Sequence, residues 1–325
     1  MSLSRDPRPD LGETGLLLRR LVEEVLVIER RGADEFVSGH SIAGFDRLYG
    51  GQIAAQALRA AGHTVAEDLR VHSVHVSYLR LGDPTAELTL VVERVRDTRR
   101  AATRLVRTTQ AGGLIALVTA SFQRDTAGVE HGRTPAPARI PAPDTLPTRP
   151  ESLRATFGEA VPENARTPWP IDVRHVDRAP WSVGATPEPR NRMWLRVPDR
   201  VGDDSLLHAC LLTYASDLTM FEPVLYPHED GPDPLLWERL TRGEIRGGSL
   251  DHTIWFHRPF RIDDWLLHEH ASPVAAEGRG LSLGHYFTAE GTLVASVAQE
   301  VAILHTPRRP VLSEVSVTAQ PEELT

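Results

Sequence analysis

The 325-residue chain contains no lysine, so its 36 lysine-plus-arginine side chains are all arginine. That absence reflects a compositional bias and points to no function. There is one cysteine, Cys210. A lone thiol cannot close an internal disulfide and leaves no CxxC zinc or redox motif, which fits a reducing compartment. No stretch reaches the roughly 18 uninterrupted apolar residues of a membrane helix, so no membrane insertion is expected. The opening Met1-Ser-Leu-Ser-Arg-Asp-Pro-Arg8 lacks the basic-then-apolar order of a secretory leader. The closing Pro321-Glu-Glu-Leu-Thr325 is not a peroxisomal Ser-Lys-Leu address. The expected setting is the cytoplasm. An excess of positive charge is missing too: 44 acidic residues against 36 basic give a net charge of −8. This is opposite in sign to the footprint of a nucleic-acid binder, and no nucleic-acid partner is expected.

What is present is a globular composition, 41% hydrophobic and 25% charged, over a length that suits roughly two domains. Prolines 135, 137, 141, 143, 147, 150, 162, 168 and 170 punctuate the middle of the chain. Proline removes a backbone donor and fixes φ, so a central strand cannot run through such a segment. The expected organisation is a first unit over residues 14–124, a proline-rich linker over 125–165, a second unit over 166–306 and a polar tail over 307–325.

Both units carry runs of period-two alternation. In the first, Val74, Val76 and Tyr78 share a face, as do Leu88, Leu90 and Val92, and then Leu114, Ala116, Val118, Ala120 and Phe122. In the second, the comparable runs cover residues 250–258, 281–287 and 293–303. The halves resemble each other at one offset. Arg80 aligns with Arg258, Gly113 with Gly291 and Ala120 with Ala298 (258 − 80, 291 − 113 and 298 − 120 are all 178), and Val76 and Tyr78 fall on Ile254 and Phe256. Each half also places one apolar helix ahead of its long strands. Gly50-Gly51-Gln52 opens the first, which is closed by Gly62; the second covers residues 206–218 and is apolar around most of its circumference. Two repeats of a helix followed by long curved antiparallel strands point to an α+β double hot-dog, each sheet wrapped around its central helix.

Three polar residues interrupt these apolar patterns or flank them. Asp217 stands near the C-terminal end of the second helix, where burial and the negative end of the helix dipole both disfavour a carboxylate. It is either a functional acid or a solvated helix end. Gln299 breaks the strand face Leu293, Ala295, Val297, Val301, Ile303; a buried amide needs partners, catalytic or structural. Ser249, after Gly247-Gly248, offers a small hydroxyl. The helix start at Gly50, Gly51 and Gln52 would present free backbone N–H groups, as an oxyanion site needs, although glycines there equally permit close helix packing. Sharper motifs fail. Gly39-His-Ser-Ile-Ala43 resembles a GxSxG elbow without the strand-to-helix context. His268-Glu269-His270 lacks the i, i+4 spacing of a helical zinc site. Gly278-Arg-Gly-Leu-Ser-Leu-Gly284 misses the spacing of a dinucleotide-binding turn.

Six ordered segments bear a family resemblance: Leu48-Tyr-Gly-Gly-Gln-Ile-Ala-Ala-Gln-Ala-Leu58, Val71-His-Ser-Val-His-Val-Ser-Tyr-Leu-Arg-Leu-Gly-Asp83, Thr119-Ala-Ser-Phe-Gln123, Tyr214-Ala-Ser-Asp-Leu218, Leu250-Asp-His-Thr-Ile-Trp-Phe-His-Arg-Pro-Phe260 and Leu293-Val-Ala-Ser-Val-Ala-Gln-Glu300. The chain resembles the type II acyl-CoA thioesterases from about residue 23 to 303. The resemblance implies a double hot-dog hydrolase of acyl-CoA thioesters, with an Asp, a Thr or Ser and a Gln around an attacking water. Matched by motif, these are Asp217, Ser249 and Gln299, with Ser where Thr is expected. It also implies a homo-oligomer, acyl-CoA as the partner, no cofactor and no metal. Asp217 is then expected as general base, or as a nucleophile forming a mixed anhydride, with Gly50, Gly51 and Gln52 receiving the oxyanion. Two rival expectations keep the fold: a hydratase or dehydratase working through a histidine such as His252 or His257, and a non-catalytic acyl-CoA-binding or regulatory protein.

Overall fold

The computed structural model describes residues 12–39, 47–132, 140–177, 179–181, 190–225 and 245–305. The polar tail and all but the first residue of Gly39-His-Ser-Ile-Ala43 lie outside them. The first half runs α1 (Glu13–Arg20), β1 (Ile28–Arg30), β2 (Glu35–Ser38), α2 (Gly50–Gly62), β3 (Arg70–Tyr78), β4 (Leu88–Asp97), β5 (Ala101–Gln110) and β6 (Gly113–Gln123). The proline-rich stretch carries a 3-10 turn (Pro143–Thr145), α3 (Arg149–Phe157) and α4 (Glu163–Arg166). Its proline content does not prevent helix. Pro150 stands in the first turn of α3, where no donor is required, and Thr148 and Glu151 close a reciprocal capping box. The second half runs β7 (Asp172–His175), β8 (Arg190–Arg196), α5 (Ser205–Thr219), α6 (Glu222–Leu225), β9 (Ile245–Ser249), β10 (Asp251–Phe256), β11 (Leu266–Ala276), β12 (Arg279–Thr288) and β13 (Leu293–His305). Among the described residues no helix is long and apolar enough to cross a membrane.

All the strands belong to one antiparallel sheet in the order β1-β2-β4-β5-β6-β3-β10-β13-β12-β11-β8-β7, with β9 paired to β13. Alternation decides which side chains meet the helices: Val74 and Val76 of β3 and Ala116, Val118, Ala120 and Phe122 of β6 are buried. The two central helices pack on each other and on this inner face. They are apolar nearly all round because neither has a solvent face. This is the double hot-dog.

The internal repeat is structural. β5 maps onto β12 end for end (279 − 101 and 288 − 110 are both 178), and the same offset carries β4 onto β11, β6 onto β13 and β3 onto β10. Upstream, the offset is 155: β2 and β8 start at 35 and 190, α2 and α5 at 50 and 205. The second half is therefore 23 residues longer (178 − 155) between its helix and its first long strand. The halves join where β3 pairs with β10, and His75 lies opposite its own counterpart Thr253. Those two side chains are hydrogen-bonded at 3.3 Å. The pseudo-two-fold axis passes through that pair.

Candidate active site

Helix α5 begins at an Asp204 N-cap, whose carboxylate accepts from the Leu206 N–H. From there it runs through the core to Asp217 in its last turn. Asp217 is only 7% exposed, so its charge needs partners rather than water. They come from strands distant in sequence. Ser249, the last residue of β9, donates its hydroxyl to Asp217 Oδ1 at 2.8 Å. Gln299, 1% exposed on the inner row of β13, donates from Nε2 to Ser249 Oγ at 2.7 Å. The pairing of β9 with β13, with Ser249 opposite Val301, brings the hydroxyl and the amide together. The three residues flagged in the sequence thus form one hydrogen-bonded chain.

The chain continues behind Gln299. His252, fully buried on β10, places Nδ1 2.6 Å from Gln299 Oε1 and Nε2 2.8 Å from Ser216 Oγ. Gln299 Oε1 can only accept, so Nδ1 carries the proton. Burial lowers the pKa of His252, against the opposing pull of the Asp217 charge and the Gln299 bond. The ring is neutral, and its Nε2 is an acceptor beside the Ser216 hydroxyl, whose single proton also faces the Thr213 carbonyl at 3.1 Å. His252, Gln299, Ser249 and Asp217 then run with every donor pointed one way, which fixes the orientation of the Gln299 amide. Sequence reasoning considered His252 only as a candidate acid or base. The available signal was the one that exposed Gln299: His252 interrupts an inward row that continues with Ile254 and Phe256.

The start of α2 faces the other carboxylate oxygen. A Cβ at Gly50 would lie 2.9 Å from Asp217 Oδ2 and 3.1 Å from the Tyr78 hydroxyl. Only glycine leaves this spot open. The Tyr78 hydroxyl is buried without a hydrogen-bond partner among the described residues, and burial, then the Asp217 charge, push its pKa well up, so it keeps its proton. Gly50 and Gly51 come too early in the helix for their N–H groups to have helical acceptors. Gln52 differs, since its N–H already bonds the Tyr49 carbonyl at 3.1 Å. Its side chain is buried, and Nε2 has no partner among the described residues. Gly51 has a packing role. A Cβ there would lie 2.6 Å from the Tyr214 carbonyl oxygen, and the Tyr49 hydroxyl donates to that same oxygen at 2.7 Å.

Elsewhere, His268 and His270 both point inward from β11 with rings 4.3 Å apart. Burial holds His270 down to about 3 and His268 well below its usual range, so both are neutral. Among the described residues no three His, Cys, Asp or Glu side chains are grouped to hold a metal ion.

Removing the central hydroxyl should be costly. In Ser249→Ala, Gln299 Nε2 loses its acceptor and Asp217 Oδ1 its donor. Stranding buried polar groups costs about 1–3 kcal/mol, which corresponds to roughly 5- to 150-fold in turnover. Ser249→Thr keeps the hydroxyl and should stay within a few-fold of the parent. Steady-state kinetics of the two variants side by side provides the check; an alanine variant as active as the threonine one would remove Ser249 from the site.

The comparisons with known proteins point one way. Residues 161–302 match the family model described as acyl-CoA thioesterase, and residues 40–123 match that of the acyl-CoA thioesterase N-terminal domain. The chain is 33% identical to acyl-coenzyme A thioesterase 8 of Homo sapiens over 298 residues, covering 89% of this chain and 90% of the human protein. It is 33% identical to acyl-CoA thioesterase 2 of Haemophilus influenzae, over 79% of this chain and 87% of that one. Among solved structures, the acyl-CoA thioesterase II TesB2 of Mycobacterium marinum superposes with a TM-score of 0.70 at 35% identity, covering 88% of this chain and 99% of that chain.

Proposed function

The chain belongs to the type II acyl-CoA thioesterase family and is a thioester hydrolase acting on acyl-CoA, and from that premise we propose that Asp217 activates the attacking water with Ser249 and Gln299 holding it in place. The observation that carries this reading is the one-way hydrogen-bond chain ending on Asp217 Oδ1, which leaves Oδ2 facing the start of α2. Water attacks the thioester carbonyl carbon as its proton passes to Asp217 Oδ2. The carbonyl electrons move to oxygen, and that oxyanion is received by the Gly50 and Gly51 N–H groups, with the Tyr78 hydroxyl beside them. The C–S bond then breaks, and the CoA thiolate takes the proton from Asp217, leaving a carboxylic acid and free CoA. His252 acts as a positioning residue, because both ring nitrogens are already engaged and the ring is buried. That geometry favours hydrolysis over histidine-based hydration or dehydration at this site.

A homo-oligomer belongs to the same reading. It is supported by exposed Val91, Val95, Trp255 and Leu283 on the strands. The test of the function is release of free CoA thiol from a panel of short- to long-chain acyl-CoAs by the purified protein. Turnover with at least one chain length is expected. Saturable binding with no turnover across the whole panel would sink the reading in favour of an acyl-CoA-binding protein.

A further inference from the structure

We propose that the chain carries a second binding site, without hydrolytic chemistry, for an anionic acyl amphiphile at the position related to the catalytic site by the pseudo-two-fold axis. The choice of ligand class rests on the thioesterase reading above; the existence of the site rests on the repeat. Shifting the catalytic residues by the two offsets of the fold takes Asp217 to Gly62 (217 − 155), Ser249 to Val71 (249 − 178), Gln299 to Ser121 (299 − 178) and His252 to Val74 (252 − 178). Gly50 and Gly51 of the other helix start go to Ser205 and Leu206, and Tyr78 goes to Phe256. A cavity of about 410 Å³ lies there, and Gly62, Val71, Ser205, Leu206 and Phe256 all line it.

The chemistry at this second place has been replaced. Where the carboxylate would stand there is Gly62, and a Cβ on it would lie only 2.3 Å from Leu206 Cδ2. Leucine thus occupies the space an acid would need. No general base remains at the counterparts of the catalytic residues, so the catalytic arrangement is not repeated here.

The lining indicates what would bind. One wall is apolar, with Leu69, Phe122 and Ala209, and with Phe256 stacked on Phe260 at 6.0 Å and 7° between planes. This suits an acyl chain. The polar side carries Arg59, Arg70 and Arg258 against Glu67, Asp125 and Asp204, equal in number but not all paired. Arg59 is matched by Asp204 at 2.7 Å. Arg258 instead donates to the backbone carbonyls of Leu293 and His131, each at 3.0 Å, and has no carboxylate partner among the described residues. Arg70 is half-exposed, and its partner Asp125 is mostly exposed, a pairing that solvent weakens. An apolar wall with Arg258 and Arg70 beside it selects an acyl chain ending in negative charge. Substrate acyl-CoA and product fatty acid both have that chemistry.

The test is the binding stoichiometry of the full chain, by calorimetry, in separate titrations with non-hydrolysable S-alkyl-CoA thioethers and with fatty acid carboxylates, each short and long. Two equivalents of thioether per chain are expected. Ala66→Trp, at an exposed lining position, should reduce this to one and leave turnover of acyl-CoA at low substrate within about twofold. Arg258→Gln should weaken the same equivalent about tenfold or more. One equivalent of thioether with a separate, Ala66→Trp-sensitive equivalent of carboxylate would also support the site and identify the fatty acid as its ligand. A single equivalent of either ligand, unaffected by Ala66→Trp, in a protein that still turns over acyl-CoA would overturn this inference and leave the catalytic reading standing. Loss of turnover with every acyl-CoA would instead fail the catalytic reading.

Discussion

Asp217→Asn is expected to lower kcat for acyl-CoA hydrolysis by about 10²- to 10⁴-fold, the range for loss of a positioned general base, while an S-alkyl-CoA thioether still binds at the catalytic site. The substitution is nearly isosteric, and the Asn carbonyl oxygen can still accept from Ser249. What it lacks is the capacity to take a proton from water at the oxygen facing Gly50. Stability should hold or rise slightly, because a negative charge leaves the C-terminal end of α5, where the helix dipole disfavours it by about 0.3–1 kcal/mol. The check is thiol release by parent and variant, with a thermal melt of each. An asparagine variant retaining activity within a few-fold would refute the role given to Asp217. A single turnover of the parent in oxygen-18 water tests for the covalent route through this residue. Label in the Asp217 carboxylate would mean that Asp217 attacks the thioester itself and water opens the anhydride at the Asp217 carbonyl; label only in the released acid is the result of direct attack by water, or of an anhydride opened at its acyl carbonyl.

The second large effect falls on stability. Gly51→Ala places a methyl 2.6 Å from the Tyr214 carbonyl oxygen, which is backbone within α5, and 2.5 Å from the Tyr49 hydroxyl. The tyrosine ring could turn aside, but the carbonyl moves only if α2 and α5 separate. Overpacking of this kind costs about 1–3 kcal/mol, occasionally more. It would also displace Asp217, three residues beyond Tyr214, so activity should fall with stability. Gly50→Ala provides the contrast. Its Cβ meets the Asp217 carboxylate and the Tyr78 ring rather than backbone, so activity should fall more than stability. Denaturant titrations and kinetics on the two variants resolve the pair, and a Gly51→Ala protein as stable as the parent would contradict the helix contact.

Much of the fold could be read along the chain. The alternation in β3, β6 and β13 is the pattern of strands with one face against a helix, and the encircling apolarity of α2 and α5 leaves them no place but between layers. The 178-residue offset holds for four strand pairs. It fails for the helices, because 23 additional residues lie between α5 and β10 and shift the register without leaving a local mark. The helices within the proline-rich stretch were also hidden, since a count of prolines does not distinguish a first-turn proline, which helix tolerates, from an interior one.

For the site, the sequence determined which residues were out of place. A carboxylate ending an apolar helix, an amide in an apolar strand row and glycines opening a helix are local anomalies, and the order of motifs tied them to a family. What the tertiary structure decided is connectivity. Ser249 has no anomaly of its own, and it acquires a role only because β9 pairs with β13 and delivers its hydroxyl between Gln299 and Asp217. His252 passes from candidate acid to positioning residue only once both of its nitrogens are seen to be engaged. Gly50 and Gly51, adjacent and identical in the chain, separate into one residue open to the carboxylate and one packed on a neighbouring helix. The physical reason is the same throughout: burial and period are properties of a short stretch of sequence, whereas a hydrogen bond or a steric contact between residues 32 to 165 positions apart exists only after the sheet and the two helices have set their distances.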